Sequence, residues 1–188
     1  MKKKKTQILQ FKITLTGSSP SIWRRFWIES DLTFYDLHHV VQLVMGWTNS
    51  HLYQFIYERH SAIGNPELLE SDDVADDKDT FVEVIFDSAG AEVVYEYDFG
   101  DGWKHILELE KVLEKKPSQQ YPFCLEGEQS CPPEDCGGIP GFYEMMKVLK
   151  NKKHPRHKET KEWIGGGYEA GVFDMKAVNN KLKNLQGD

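Results

Sequence analysis

The side chains most able to do chemistry gather in one stretch, Tyr95-Glu96-Tyr97-Asp98-Phe99-Gly100-Asp101-Gly102-Trp103-Lys104-His105. Aromatics alternate with carboxylates as the chain leaves one expected strand, turns on two glycines and enters another. Asp98 and Asp101 at the turn, with His105 a few residues on, have the groups to coordinate a divalent metal or to act as acid and base. The same carboxylates could instead cap turn amides, with His105 on a half-buried strand face beside Trp103 and Leu107. The residues leave both readings open.

A second acidic group stands in Pro132-Pro133-Glu134-Asp135-Cys136-Gly137-Gly138. The prolines restrict the backbone, and the glycine pair permits close approach before a helix. Glu134 and Asp135 could join Asp98 and Asp101 in one acidic pocket, or lie at a helix entry where the dipole favours carboxylates. Cys124, Cys131 and Cys136 follow the spacing C-x6-C-x4-C, looser than the paired C-x2–4-C of most zinc sites. A structural zinc on these three would need a fourth ligand from a histidine or a carboxylate; free thiols are the alternative. His38 and His39 fall on an expected helix, where His38 borders the apolar stripe, and His51 opens the following strand. The basic segment 147–161 could touch nucleic acid or could be a solvated face. Aromatic interleaving of the kind single-strand binders use is sparse there.

No Walker loop, Gly-x-Gly-x-x-Gly, His-Glu-x-x-His or Gly-x-Ser-x-Gly occurs, so nucleotide-dependent chemistry and a serine nucleophile have no support. The net charge of −7 disfavours non-specific attraction to phosphate backbones. At 188 residues with 39% hydrophobic content, one domain over 1–188 with a substantial core is expected. The lysine run 2–5 is followed by alternation rather than a continuous apolar stretch, unlike a signal peptide. No segment has the roughly 20 apolar residues of a membrane span. With an odd number of cysteines, a cytoplasmic location is expected.

The elements that must position these groups are partly legible. Residues 7–16 alternate with a period of two and predict a strand. Gly17-Ser18-Ser19-Pro20 ends it, and 22–28 predict a second strand apolar on both faces, with Arg24-Arg25 in its middle. Thr33 and Asp36 form a capping box for a helix carrying Leu37, Val41 and Met45 and ending at Gly46. Residues 51–58 predict a strand and 67–79 an acidic, solvated loop. For 80–86, helix and strand are evenly matched. Residues 91–98 and 103–113 predict a hairpin across the Gly100–Gly102 turn. The stretch 117–141, rich in proline and glycine, predicts an irregular functional loop. A helix over 142–149, a break at 165–167 and a last helix capped by Asp174 follow. Strands first and helices last favour α+β.

Several ordered motifs resemble one family. Pro20-Ser21-Ile22-Trp23-Arg24-Arg25, Asp36-Leu37-His38, Met45-Gly46-Trp47 and His51-Leu52 are similar to the opening of the plasmid pRiA ORF-three-like proteins, also labelled insertion-element passenger, TnpR-like proteins. Tyr97-Asp98-Phe99-Gly100-Asp101, Trp103, His105, Tyr121-Pro122, Cys124, Gly127, Pro132-Pro133-Glu134-Asp135 and Gly137-Gly138 resemble its later signatures, so the match runs from about 7 to 180. The resemblance implies a compact α+β roll with a mixed, largely antiparallel sheet and packed helices, carried on plasmids and mobile elements. It implies no established activity, and no serine-recombinase signature accompanies the passenger label.

Two functions are expected from these residues. The first is a binding or interaction module, with Tyr97, Trp103, His38 and His51 on an acidic, aromatic surface that engages a protein or small ligand. The second is a metal-dependent hydrolase or nuclease, in which Asp98, Asp101, Glu134 and Asp135 hold zinc or magnesium and His105 relays a proton.

Overall fold

The computed structural model describes residues 5–58, 61–166 and 168–185. Most of the amino-terminal lysine run and Gly167 of the expected break lie outside the described residues. The strands are β1 (Gln7–Leu15), β2 (Trp23–Glu29), β3 (Tyr53–Tyr57), β4 (Ser61–Gly64), β5 (Val74–Asp76), β6 (Glu92–Tyr97), β7 (Trp103–Glu114) and β8 (Phe123–Glu128). The helices are α1 (Phe34–Met45), α2 (Pro66–Leu69), α3 (Val82–Ile85), α4 (Gly138–Lys150), α5 (His157–Ile164) and α6 (Met175–Asn184).

The strands form one sheet in the order β5-β4-β3-β6-β7-β1-β2-β8, with β4 and β5 parallel and every other pair antiparallel. This is the expected α+β architecture. The alternation in β1 buries Leu9, Phe11, Ile13 and Leu15, and β2 contributes Phe26 and Ile28 to the same core. Helix α1 closes over it with Phe34, Leu37, Val41 and Met45. Its start has the predicted reciprocal cap: Asp36 N donates to Thr33 Oγ1 at 3.2 Å, and Thr33 N donates to Asp36 Oδ2 at 2.9 Å. Its end needs Gly46, whose φ of 108° is costly for a residue with a Cβ.

Two expectations are corrected and one open reading is resolved. The acidic stretch 67–79 is not all solvated loop: it contains most of α2 and all of β5, and Asp77 is buried and accepts from the Tyr53 hydroxyl. Residues 80–86 resolve to the single helical turn α3, which buries Val82. The stretch 117–141 includes the edge strand β8, paired with β2 from Trp23↔Glu128 to Trp27↔Phe123. The paired partner, absent from local sequence, sets the strand there.

Arg24 resolves the two-faced pattern of β2. Its side chain is buried without a carboxylate: Nε donates to Val44 O at 2.9 Å, Nη1 to Trp23 O and Glu128 O at 2.7 Å each, and Nη2 to Gln129 O at 2.9 Å. The Phe173 ring stacks on the guanidinium at 3.9 Å. One cation thereby satisfies carbonyls at the end of α1 and the exit of β8.

Two histidines belong to this core. His105 on β7 is fully buried, donates Nδ1–H to Tyr95 O at 3.2 Å, and burial holds its pKa down at about 4. His38 on α1 is also buried, and burial lowers its pKa to about 3. Both fold neutral, whereas the unfolded chain protonates them near the ordinary value of about 6.5. Their stabilising contribution is therefore complete above pH 6.5 and falls as the pH drops toward the folded values. Urea denaturation at pH 5 should show a loss of about 2 kcal/mol per histidine relative to pH 7.5, and His105→Leu should remove about one such increment from the difference. Arg24→Lys, which cannot reproduce the fork, should lower unfolding stability by about 3 kcal/mol in the same measurement at pH 7.5.

Candidate functional site

Three connections meet at one end of the sheet. The first leaves α1 at Gly46 and carries Trp47 to Leu52. The second is the β6–β7 turn with Asp98 and Asp101. The third runs from β8 into α4 and carries Glu134 and Asp135. Their meeting place is the imidazole of His51: Nε2 lies 3.2 Å from Asp135 Oδ1, 3.7 Å from Asp98 Oδ2 and 3.8 Å from Glu134 Oε2. That nitrogen is buried and makes no hydrogen bond among the described residues. One ligand atom each from His51, Asp98 and Asp135 falls within 4.8 Å of the others.

Asp98 and Glu134 are each held by backbone amides through one oxygen, which leaves the other facing the cluster. Asp98 takes a φ of 54°, and its Oδ1 accepts from Gly100 N at 3.0 Å and Asp101 N at 3.3 Å. Its other oxygen faces His51. Glu134 Oε1 accepts from Thr48 N at 2.9 Å, Thr48 Oγ1 at 3.1 Å and the Tyr97 hydroxyl at 3.1 Å. The Tyr97 hydroxyl accepts in turn from Ser50 N at 3.0 Å; burial, then the Glu134 carboxylate, raise its pKa. Asp101 does not enter the cluster. Its Oδ2 accepts from Gly137 N at 3.0 Å, clamping the hairpin tip to the start of α4. Gly138 must be glycine for that clamp: its φ is 65°, and a Cβ there would stand 2.5 Å from Asp101 O.

The His51 connection is braced from below by a closed ring of hydrogen bonds. Gln42 Nε2 donates to the Tyr95 hydroxyl at 2.9 Å, and that hydroxyl donates to His38 Nδ1 at 2.9 Å. His38 Nε2 donates to Asn49 Oδ1 at 2.7 Å, and Asn49 N donates to Gln42 Oε1 at 2.8 Å. Asn49 Oδ1 can only accept, which fixes the His38 tautomer. His38 also stacks on Tyr53 with ring centroids 3.4 Å apart. Trp47 Nε1 donates to Pro132 O at 3.1 Å and joins the first connection to the third.

The structure thus brings His51, Asp98, Glu134 and Asp135 together, and it places the remaining candidates elsewhere. His105 lies in the core on the β7 face it shares with Trp103 and Leu107, fully rather than half buried, with Nδ1 on Tyr95 O, and cannot relay a proton to the cluster from there. Tyr97, Trp103 and His38 are buried, so they do not line an aromatic surface; Tyr97 reaches the site only through its hydroxyl. His39 instead bonds the carbonyl of its own helix, Tyr35 O, at 2.8 Å. Cys124, Cys131 and Cys136 are free thiols, and no group of three metal-ligating side chains among the described residues includes them. Burial pushes Cys124 up to about 11 and Cys136 up to about 12, and it raises Cys131 as well, so all three stay protonated at neutral pH. Sequence reasoning placed His51 on the binding surface and missed it as the hub. Its distance from Asp98 and from Asp135 along the chain conceals the contact; the only local signal is its position just after the Met45-Gly46-Trp47 helix end.

The basic segment 147–161 forms the end of α4 and the start of α5. Arg156 there pairs with Glu144 at 2.7 Å and Lys158 faces Glu162 at 3.8 Å, both on the surface. No helix among the described residues is long and apolar enough to cross a membrane.

Known proteins share this arrangement's frame. The crystal structure of a protein of unknown function, MM3350 from Methanosarcina mazei Go1, superposes with a TM-score of 0.83 at 33% identity, covering 92% of this chain and 98% of that one. The uncharacterized protein y4hQ of Sinorhizobium fredii (strain NBRC 101917 / NGR234) is 33% identical over 180 residues, 95% of this chain and 92% of y4hQ. The family described as plasmid pRiA4b ORF-3-like protein matches residues 7–180, the span over which the motifs run and on which the sheet and the His51 cluster are built. The chain belongs to the plasmid pRiA4b ORF-3-like protein family.

Proposed function

We propose that His51, Asp98 and Asp135 hold a divalent cation, with Glu134 beside them, and that the ion serves a metal-dependent hydrolysis. The supporting observation is the buried His51 Nε2, which has three carboxylates within 3.8 Å and no hydrogen bond. Facing carboxylates repel one another, and a cation at their centre relieves that repulsion while using the imidazole lone pair. One imidazole among oxygen donors suits zinc or manganese better than magnesium, which prefers oxygen ligands and retains its waters. The Asp135 side chain is 71% exposed, so one side of the cluster is open to a substrate. A bound ion in such an open site would lower the pKa of a coordinated water. Glu134, fixed by Thr48 and Tyr97, is placed to accept a proton.

A cavity of about 380 Å³ adjoins the cluster, with Asp135, Arg156, Thr160 and Trp163 among its lining residues. It connects the cation site to the basic segment 147–161. Its lining also holds Glu144, paired with Arg156 at 2.7 Å, and Glu159, so the attraction for an anionic ester would come from the bound cation; phosphate esters, nucleic acid among them, are the substrate class to test first, with Trp163 available for stacking. The three free thiols support a reducing, cytoplasmic setting.

Calorimetric titration with zinc and manganese chlorides should show one saturable site per chain. Asp98→Asn and His51→Ala should each weaken it at least tenfold. Gly138→Ala should weaken it by about tenfold, near 1.4 kcal/mol, by forcing the hairpin tip away from α4. Turnover of bis(p-nitrophenyl) phosphate with manganese tests the hydrolytic step. Cation binding without turnover of this or other ester substrates would leave a cation-dependent binding module, and absence of cation binding would sink both.

A further inference from the structure

A second cavity, of about 510 Å³, lies on the other side of α4, between the turn after β1 and the segment following α5. Its walls come from chain segments already tied together. The Tyr143 hydroxyl accepts from Ser19 N and donates to Ser19 O at 3.1 Å, fastening α4 to the Ser19-Pro20 turn. Gly171 N donates to Ser130 Oγ at 2.9 Å, and Ser130 Oγ bonds the Tyr168 hydroxyl at 3.1 Å, fastening the segment after α5 to the exit of β8. The space is therefore built into the fold, and its volume is that of a small-molecule site.

The lining divides by chemistry. Pro20, Ile22, Phe142 and Met146 supply an apolar interior, whereas Lys147 and Lys150 are the only charged side chains around it among the described residues. Neither lysine is paired with a carboxylate among the described residues. In a chain of net charge −7, a cavity whose formal charges are both positive selects the sign of its ligand. Lysine stems can lie along apolar surface with the ammonium at the edge, which sets the charged end of a ligand at the rim and its tail inside. Phosphate sites favour arginine forks or clustered backbone amides, and the lining contains no arginine among the described residues.

We propose that this cavity binds a small amphipathic carboxylate, its alkyl or aryl tail against Phe142 and Met146 and its carboxylate at Lys147 and Lys150. The site is independent of the cation cluster, and its occupancy does not depend on the hydrolytic reading.

Calorimetry of the full chain with sodium octanoate tests it, with octan-1-ol as the uncharged analogue of equal length. Octanoate should bind with one-to-one saturation and at least tenfold more tightly than octan-1-ol. Lys147→Gln with Lys150→Gln should reduce octanoate affinity about tenfold and leave octan-1-ol unchanged. Met146→Trp, which fills the interior, should abolish both. Thermal melting within a few degrees of the parent qualifies each variant, and for the lysines the single Lys147→Gln replaces a double variant that fails this. Equal affinity for acid and alcohol would overturn the proposal. So would indifference to the lysine changes, retention in Met146→Trp, or the absence of saturable octanoate binding.

Discussion

The buried guanidinium of Arg24 is the contact on which the arrangement of the molecule depends. Removing a cation from water without an anionic partner is expensive, and here the compensation comes from four backbone carbonyls and the face of Phe173. Those carbonyls belong to β2, the last turn of α1 and the residues that leave β8. Two of the three connections that carry site residues therefore depart from points fixed by one side chain. Gly127 shows how tight the packing is, because a Cβ there would stand 2.7 Å from Arg24 Cδ and from the Phe173 ring.

From those anchors the site is assembled by loops that hold one another. Trp47 reaches Pro132, Thr48 reaches Glu134, Asp101 reaches Gly137, and the ring through Gln42, Tyr95, His38 and Asn49 fixes the approach to His51. Backbone amides take up Asp98 Oδ1 and Glu134 Oε1, while Asp98 Oδ2, Glu134 Oε2 and Asp135 Oδ1 lie within 3.8 Å of one buried nitrogen. Loops carry this arrangement because only loops can bring Asp98 and Asp135 beside His51 at one end of an antiparallel sheet.

The contrast between the two histidines near the hairpin follows from side-chain alternation. Trp103, His105 and Leu107 lie on the same face of β7, and that face is the core. His105 therefore shares the burial of Trp103, and its charged form is disfavoured. His51 precedes β3, free of any strand's alternation, and turns its Nε2 toward the carboxylates.

The strands β1, β6 and β7, the capping box of α1 and the Asp174 cap of α6 were legible in the chain because each rests on periodicity or on neighbours three residues apart. The sequence by itself also determined which residues could serve a site: Asp98, Glu134, Asp135 and His51 all carry the right chemistry, and the family motifs contain them. Tertiary structure decided which of them meet. It moved His38, Tyr97, Trp103 and His105 into the core, set the thiols apart from any metal cluster, and paired β8 with β2 inside a stretch that looked irregular. Local sequence encodes backbone propensity and amphipathicity over a few residues. The distance from His51 to a carboxylate on another loop depends on strand register and on contacts such as Arg24, whose partners lie as far as 105 positions along the chain.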